Sequence, residues 1–429
     1  MKHISLNPSN LPVAIIGAGP VGLAAATHVL ARGFTPLILE AGDDVAAHLQ
    51  SYRHVRLFSP WRYNVDQEAV RLLQNSGWVM PPSEQLPTTG ELIDEYLRPL
   101  AQIETVAAGL RFGHRVKAIS REGFDKVKTA GRENAAFVLR TETNAGIEQH
   151  RAWAVLDVSG TWGTPNPLGA SGLPALGEDQ FDHRIRHGMP DVLGRDRLRY
   201  AGQHTLVVGA GHSAAGSLLA LSDLAAIDSH TRITWAIRGG NLARIIGGGA
   251  ADGLPARGAL GIRLKQLMDS GRLELYDNFR IASLRASGAE IDVMSDDHRQ
   301  IEAVGQIIAA TGSRPDVFLA RELRVKLDHW TESTEALAPL IDPNVHSCGT
   351  VRPHGHRELE QPEVRFYAIG AKSYGRAPNF LMTTGYEQAR SVVAALAGDF
   401  AAADDVRLEL PETGVCSTGF PVPQAAPSC

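Results

Sequence analysis

The sequence predicts an α/β protein, and two similar segments are the main reason. Residues 13–40 and 203–238 each read as an apolar strand, a glycine-rich turn, a helix and a second apolar strand. Short alternating stretches between residues 110 and 160 indicate a small antiparallel β layer. This order is typical of two Rossmann-like dinucleotide-binding domains.

The first segment carries a complete dinucleotide fingerprint. Gly17 suits the tight turn, Gly19 lets the backbone approach a pyrophosphate, and Gly22 allows the helix to pack closely on the strand. The N-terminus of that helix offers free N–H groups to phosphate oxygens. An acid ends the second strand about 20 residues further on, where it can bind a ribose hydroxyl. The residues expected at this cofactor are Gly17, Ala18, Gly19, Pro20, Gly22 and Glu40.

The second segment repeats the pattern with a different last residue. A strand leads into the glycine turn, and the strand after the helix ends at Arg238 rather than at an acid. An arginine there can pair with a ribose 2′-phosphate, which favours NADP, whereas the alternative is a solvated surface arginine. Arg244 is a second candidate for the same role. The residues expected at this nucleotide are Gly209, Gly211, His212, Ser213, Ala214, Arg238 and Arg244.

Composition argues against several other classes of protein. The 429 residues are 44% hydrophobic and 21% charged with a formal net charge of −5, so neither nucleic acid nor a membrane is an expected partner. Without a secretory h-region, a cytoplasmic protein is expected. Cys348, Cys416 and Cys429 form no C-x-x-C pair, which argues against a disulfide relay and a zinc cage. No metal is expected at residues 346–356, because their spacing fits no standard zinc motif.

Two less regular stretches allow two interpretations each. The aromatic and arginine-rich residues 48–64, which include Trp61, either line a flavin or substrate cavity or form an irregular core segment. The glycine-rich residues 247–258 are either a lid over the substrate or a surface excursion. Val116, in an alternating strand, and Gly160, in a glycine- and proline-rich crossing, are expected at the same cofactor cavity as Trp61.

A short motif between the two glycine turns suggests a family. Phe181 and His187 match two positions of the pattern F-x-G-x-x-x-H-x-x-x-(Y/W). The chain therefore resembles the flavoproteins with two dinucleotide-binding domains, and most of all the flavin-containing monooxygenases. His183 and Asp191 stand where that family has a glycine and an aromatic residue.

The resemblance extends to about residue 396. Residues 310–315 match the A-T-G-x-x-P segment that returns the chain to the FAD domain. Gly370 ends the last strand of that domain, and Lys372 stands close after it, where many relatives have an acid. The final helix would direct its N-terminus at the flavin pyrimidine. The resemblance implies further cofactor contacts at His187, Thr311, Gly312, Gly370, Phe380 and Leu381.

The resemblance also implies a domain organisation and a reaction. The FAD domain would comprise residues 1–165 and 305–400, the NADP domain residues 166–304, and a tail residues 401–429. NADPH would reduce FAD, and the reduced flavin would oxygenate a small substrate with a sulfur, nitrogen or arsenic centre. A reductase or oxidase without oxygen insertion and a non-catalytic redox-sensing protein are the alternatives. The sequence indicates no catalytic side chain, particular substrate or oligomeric state.

Overall fold

The computed structural model describes residues 11–247, 249, 254–346 and 351–408, and the chain divides into two compact units. The first unit contains the described residues up to Asn166, then Gly312–Val345 and the residues from Val351 onward. The second unit is built on Pro167–Thr311. The boundary expected between residues 304 and 305 falls one strand too early, because Gln306–Ala309 pairs within the second unit.

A five-stranded parallel sheet organises the first unit. In spatial order its strands are β16 (Phe366–Ala368), β7 (Ala154–Asp157), β1 (Val13–Ile16), β2 (Pro36–Leu39) and β3 (Leu110–Arg111). The strands β1 and β7 are buried over their whole length, as expected for central strands covered on both faces. Because all the pairings are parallel, the carboxyl ends of the strands meet at one edge of the sheet.

The first unit also contains a three-stranded antiparallel sheet. Its strands are, in order, β4 (Arg115–Arg121), β5 (Phe137–Thr143) and β6 (Gly146–Ala152). The alternating run of residues 110–120 is expected to belong to this antiparallel layer, but residues 110–111 do not. The run is interrupted near Gly113, whose φ is +66°, so that β3 joins the parallel sheet and β4 joins the antiparallel sheet.

The second unit has the same combination of sheets. Its parallel sheet contains, in order, β11 (Glu274–Tyr276), β10 (Arg232–Ala236), β9 (His204–Val208), β15 (Gln306–Ala309) and β8 (Ile185–His187). Its antiparallel sheet contains β12 (Ile281–Ser287), β13 (Glu290–Ser295) and β14 (Gln300–Val304). The sequence does not predict this second antiparallel sheet.

A long helix follows each glycine turn, and another long helix lies near the end of the described residues of the first unit. The helices are α1 (Pro20–Ala31), α2 (Ala47–Gln50), α3 (Gln67–Gln74), α4 (Thr89–Leu92), α5 (Arg98–Gln102), α6 (Glu104–Ala107), α7 (Arg197–Tyr200), α8 (His212–Ile227), α9 (Ala243–Ile246), α10 (Pro255–Asp269), α11 (Ala338–Ile341), α12 (His356–Leu359), α13 (Met382–Leu396) and α14 (Phe400–Asp404). A π-helical turn, Ile93–Leu97, joins α4 to α5. Thr88 and Glu91 form a capping box at the start of α4. The Glu91 amide donates to the Thr88 hydroxyl, and the Thr88 amide donates to the Glu91 carboxylate.

The long helices of the first unit pack on the parallel sheet. Leu23 and Val29 of α1 share an apolar core with Ile15 of β1 and with Val392 and Val393 of α13. Among the described residues, no helix is long and apolar enough to cross a membrane. The cytoplasmic location expected from the sequence stays a prediction.

Candidate functional site

The first glycine turn follows β1 at the carboxyl edge of the parallel sheet. Gly17 has a φ of +104°, which favours glycine, and a Cβ there would lie 3.0 Å from the carbonyl oxygen of Val158. A Cβ on Gly22 would lie 2.0 Å from the carbonyl oxygen of Gly17, so α1 packs closely only because Gly22 has no side chain. A Cβ on Gly19 would meet no atom within 4 Å and would enter the adjacent cavity. This geometry fits the three roles that the sequence predicts for these glycines.

Glu40 follows β2 with its carboxylate fixed at the same edge. Its Oε2 accepts a hydrogen bond of 2.7 Å from the Ala18 amide, and its Oε1 accepts one of 2.8 Å from the Gly42 amide. Glu40 is only 7% exposed and lines the cavity. Each carboxylate oxygen keeps a lone pair for another donor, such as a ribose hydroxyl. Ala18 itself is buried, and its amide orients the acid.

The glycine turn and Glu40 line a cavity of about 610 Å³ within the first unit. This volume is within the range of small-molecule and cofactor sites. Pro20 and Met382, the first residues of α1 and α13, both line it, so two helix N-termini direct positive dipole ends at the same space. Of the residues expected at a cofactor, those in the cavity wall are Gly17, Gly19, Pro20, Gly22, Glu40, Val116, Gly160, Gly370 and Phe380.

Two residues that were expected at this cavity lie elsewhere. Trp61 is 1% exposed and packs in the apolar core of the first unit, where its amide donates to the Gln85 carbonyl oxygen over 3.0 Å. Its large ring is buried in that core and is not part of the cavity wall. Leu381 is the N-cap residue of α13 and is half-buried outside the wall, whereas Phe380 and Met382 on either side of it line the cavity.

Three cavity residues were not singled out from the sequence. Tyr52 and Trp162 line the cavity with their ring centroids 4.7 Å apart, and burial raises the pKa of Tyr52 to about 12, so its phenol stays protonated. His48 also lines the cavity, and its pKa is lowered chiefly by burial, which keeps the imidazole neutral at pH 7. The aromatic character of residues 48–64 was a signal for Tyr52 and His48, but nothing in the sequence marks Trp162.

A buried lysine lies next to the cavity wall. Lys372 Nζ is 3.2 Å from Asp157 Oδ2 and donates hydrogen bonds to Ser159 Oγ, over 3.0 Å, and to the Asp316 carbonyl oxygen, over 2.7 Å. The Lys372 and Asp157 side chains are only 6% and 2% exposed. Because Ser159 and Asp316 line the cavity, this ion pair positions part of its wall. The lysine therefore has a structural partner at the place where many relatives carry an acid.

The second unit repeats the turn geometry on its own sheet. Gly209 has a φ of +128°, and a Cβ there would lie 2.2 Å from the Ala310 carbonyl oxygen. The Trp235 indole Nε1 donates to the Gly209 carbonyl oxygen over 2.7 Å and fixes the turn. A Cβ on Gly211 would meet no atom within 4 Å, and the third position is the fully buried Ala214. The turn leads directly into α8, whose first residues are His212 and Ser213.

Arg238 and His187 lie at the carboxyl edge of the second parallel sheet. Arg238 comes shortly after β10, is exposed, and donates through Nη1 to the Ala170 carbonyl oxygen over 3.3 Å. His187 is the exposed last residue of β8, opposite Ala309 of β15. An exposed guanidinium at this edge is available to an anion but is also compatible with simple solvation, so both interpretations of Arg238 stay open.

Thr311 and Gly312 follow β15, where the chain passes from the second unit to the first. Thr311 belongs to the second unit, and Gly312, with a φ of +80°, belongs to the first. The Asn166 amide donates to the Gly312 carbonyl oxygen over 2.9 Å, and Pro165 pairs with Ser313. Neither Thr311 nor Gly312 lines the cavity described above.

Some expectations fall partly or wholly outside the described residues. The backbone of Arg244 lies in α9, but its side chain is outside the described part of the structure. Within residues 247–258, only 247, 249 and 254–258 are described, and 255–258 form the first turn of α10 rather than a flexible loop. The three cysteines, Cys348, Cys416 and Cys429, lie outside the described residues, as do residues 347–350 of the segment 346–356 and residues 409–429 of the tail.

Two parallel-sheet units, each with a glycine turn at its carboxyl edge, define a protein with two dinucleotide-binding domains. The sequence profile of the pyridine nucleotide-disulphide oxidoreductase family matches residues 14–349, so the chain belongs to this family. The family consists of oxidoreductases that depend on FAD and NAD(P). These are the cofactors that the sequence predicts. The predicted α/β fold with an inserted second domain is confirmed. A search of curated proteins finds no significant match.

Solved structures with the same fold include both disulfide reductases and monooxygenases. The bacillithiol disulfide reductase of Bacillus cereus has a TM-score of 0.67 and 18% identity, over 90% of this chain and 99% of its own. A flavin monooxygenase of Stenotrophomonas maltophilia has a TM-score of 0.56 and 21% identity, over 90% and 98%. The ornithine N-hydroxylase of Kutzneria sp. 744 has a TM-score of 0.59 and 14% identity, over 92% and 98%. At these identities the similarity shows the fold and does not distinguish the two activities.

Proposed function

We propose that this protein is an NADPH-dependent flavoprotein monooxygenase whose substrate is a small molecule with a soft nucleophilic sulfur, nitrogen or arsenic centre. The observation that supports this most is the cavity of the first unit, where a glycine turn, a fixed carboxylate and two helix N-termini surround one space. FAD held there by the glycine turn and Glu40 would supply an acceptor for hydride from a nicotinamide and a donor of electrons to oxygen or to another acceptor.

Three parts of FAD each have a proposed partner among the residues of the cavity. Gly19 and the N-terminus of α1 offer backbone N–H groups to the pyrophosphate, because no side chain stands between them and the cavity. Glu40 is preorganised for a ribose hydroxyl by its two amide donors. The N-terminus of α13, beside Phe380, favours negative charge on a reduced flavin ring.

NADPH is the proposed electron donor, in preference to NADH. Arg238 is an exposed cation at the carboxyl edge of the second sheet, shortly after β10. In domains of this kind, the residue at the end of the corresponding strand contacts the adenosine ribose. A guanidinium can bind a 2′-phosphate through two hydrogen bonds, whereas an acid at this position favours a free 2′-hydroxyl.

Several observations favour oxygenation over disulfide reduction. A dithiol relay commonly uses a C-x-x-C pair, and the three cysteines of the sequence include no such pair. No cysteine is found among the described residues that line the cavity. Tyr52, Trp162 and Phe380 instead give the cavity an aromatic wall, which helps to exclude water. His187 and Phe181 also match the monooxygenase pattern. The His187 side chain is exposed and therefore accessible to a ligand, whereas Phe181 is buried in the core of the second unit.

A reductase or oxidase without oxygen insertion is the second candidate. It is favoured by His183 and Asp191, which depart from the monooxygenase pattern. A non-catalytic redox-sensing protein is the third candidate, and it predicts bound flavin without NADPH turnover.

Product stoichiometry distinguishes the three candidates. NADPH oxidation, oxygen uptake and peroxide release are measured with candidate sulfides, amines and trivalent arsenicals. We expect one of these substrates to suppress peroxide release and to yield oxygenated product in proportion to the NADPH consumed. Peroxide equal to NADPH with every substrate indicates an oxidase, NADPH oxidation that requires a disulfide and no oxygen indicates a reductase, and absent turnover indicates the non-catalytic protein.

Two histidine variants test the part played by the monooxygenase pattern. We expect His187→Ala to lower the product formed per NADPH while the flavin stays bound. His183→Ala is the matched control, because His183 is also exposed but stands where the pattern has a glycine rather than a histidine, and it should leave this ratio unchanged. If both variants form the same amount of product per NADPH, His187 does not take part in oxygenation.

A further inference from the structure

We propose that His114, Glu148 and His150 form a binding site for one divalent transition-metal ion of the Zn²⁺ type. One potential ligand atom from each residue lies within 4.8 Å of the other two. Two imidazoles and a carboxylate are a donor set that zinc sites use, with a water molecule in the remaining position. The sequence predicts no metal, and that prediction rests on the cysteines and on residues 346–356.

The distances between the donor atoms fit a tetrahedral site. Metal–nitrogen and metal–oxygen bonds of about 2.0–2.2 Å place two ligands of a tetrahedron roughly 3.3–3.6 Å apart. His114 Nε2 lies 3.3 Å from Glu148 Oε2, and His150 Nε2 lies 3.8 Å from the same oxygen. The two histidine nitrogens are at most 4.8 Å apart, so coordination requires the side chains to rotate and close this gap by about 1 Å.

The antiparallel sheet places the three side chains on one face. Glu148 and His150 are two residues apart on β6, so their side chains point to the same side. Thr141 on β5 is the register partner of both Glu148 and Val116, and His114 lies two residues before Val116. The two histidine side chains are 17% and 19% exposed, whereas the Glu148 side chain is 46% exposed, so an ion can enter from solvent.

A hydrogen bond to the backbone prepares His114 as a ligand. Its Nδ1 lies 2.7 Å from the Phe112 carbonyl oxygen, and because a carbonyl only accepts, Nδ1 carries the proton. This tautomer leaves the Nε2 lone pair directed at Glu148, which is how outer contacts orient metal-bound histidines. His150 Nε2 lies 3.1 Å from Thr141 Oγ1, a hydroxyl that can turn aside when an ion binds.

The site is connected to the cavity of the first unit. His114 lines that cavity, and its backbone amide donates to the Glu40 carbonyl oxygen over 2.8 Å. The neighbouring Gly113 amide donates to the Gly42 carbonyl oxygen over 2.9 Å, and the Gly42 amide in turn holds the Glu40 carboxylate. An ion that fixes His114 therefore also restrains the segment that presents Glu40. This coupling, unlike the metal site itself, rests on the proposed binding of FAD.

Zinc titration of the whole protein tests the site. The protein is purified with its flavin, freed of metals with a chelator and titrated with Zn²⁺ in a calorimeter. We expect one saturable site, weakened at least tenfold in His114→Ala, Glu148→Gln and His150→Ala, because even outer-shell partners of metal ligands change affinity 10- to 100-fold. His230→Ala removes an exposed histidine near a carboxylate elsewhere and should leave the titration unchanged.

Two results would overturn the site. One is the lack of a saturable zinc site in the wild type, and the other is an unchanged titration in all three variants, which would indicate adventitious binding by other histidines. Glu148→Gln preserves the shape of an exposed side chain, and circular dichroism checks that each variant is folded. Tetrahedral Co²⁺ in place of Zn²⁺ gives an independent visible spectrum that should disappear in the same variants.

Flavin release tests the coupling separately. We expect Zn²⁺ to slow the release of FAD from the wild type and to have no effect in Glu148→Gln. Zinc binding without any change in FAD release would retain the site and exclude the coupling. A protein that binds Zn²⁺ but no flavin would contradict the proposed function and leave the metal site supported.

Discussion

Gly19 precedes α1 and Gly22 lies in its first turn, and a methyl group at each would meet different surroundings. In Gly19→Ala the new Cβ meets no protein atom and enters the cavity, so we expect a fold of wild-type stability that retains FAD at least tenfold less tightly. In Gly22→Ala the Cβ clashes with the Gly17 carbonyl oxygen, and such overpacking costs about 1–3 kcal/mol of unfolding free energy. Urea unfolding and flavin release measure the two effects. Full FAD retention by Gly19→Ala would show that the pyrophosphate lies elsewhere.

Arg238 determines the expected preference for NADPH. A charge-assisted hydrogen bond contributes about 1.5–3 kcal/mol, so Arg238→Ala should lower the ratio of kcat/KM for NADPH to that for NADH by roughly ten- to a hundredfold. Arg232→Ala is the matched control, because Arg232 is an exposed arginine at the opposite end of β10. A wild type with equal rates on both nucleotides, or an unchanged ratio in Arg238→Ala, would contradict the assignment.

Single residues differ in how well they can be predicted from sequence. Gly17 and Gly22 are predictable because a positive φ and a close backbone approach each exclude a Cβ. Trp61 is not, because an aromatic ring suits an apolar core and a cavity wall equally well, and tertiary packing decides between them. The residues of the proposed metal site are also not predictable, because His114 lies far in sequence from Glu148 and only the sheet brings them together.

The buried ion pair Lys372–Asp157 connects β7 to the 3-10 turn Gly370–Tyr374 that follows β16. We expect Lys372→Met to destabilise the protein by about 3–5 kcal/mol, because it leaves the Asp157 carboxylate buried without its partner. Adding Asp157→Asn should restore part of this stability. The free energy of unfolding in urea measures both variants.

An exposed ion pair of the same unit is the control for Lys372. Arg151 and Glu122 lie 2.7 Å apart with half-exposed side chains, so Arg151→Met should change the free energy of unfolding by less than about 1 kcal/mol. Equal losses for Lys372→Met and Arg151→Met would mean that the burial of the Lys372–Asp157 pair has no energetic consequence.

Regular elements were predictable where hydrophobic periodicity was long or continuous. The buried runs β1 and β9 and the helices after them follow directly from the apolar pattern. The run over residues 110–120 was expected in the antiparallel layer because its residues alternate, but the backbone near Gly113 turns the chain from one sheet into the other. The strands β12–β14 gave only a weak signal, because half-buried and exposed positions interrupt their apolar pattern.

At the scale of the whole molecule, the chain carries one dinucleotide-binding unit inside the sequence of another. The order of the two glycine turns and the return segment at residues 310–315 made this organisation predictable. The end of the inserted unit was placed too early, because the last strand, Gln306–Ala309, precedes the return segment without a break in the apolar pattern. The residues that follow β2 and β10, Glu40 and Arg238, differ in charge, which is the basis for proposing a different nucleotide in each unit.

The most direct test of the proposed function is an anaerobic titration of the purified protein with NADPH, followed by the absorbance of the flavin. We expect a yellow protein that releases FAD on denaturation and whose flavin is reduced by NADPH in preference to NADH. A colourless protein that cannot be reconstituted with FAD, or a bound flavin that neither nucleotide reduces, would contradict the assignment of the two units to FAD and NADPH.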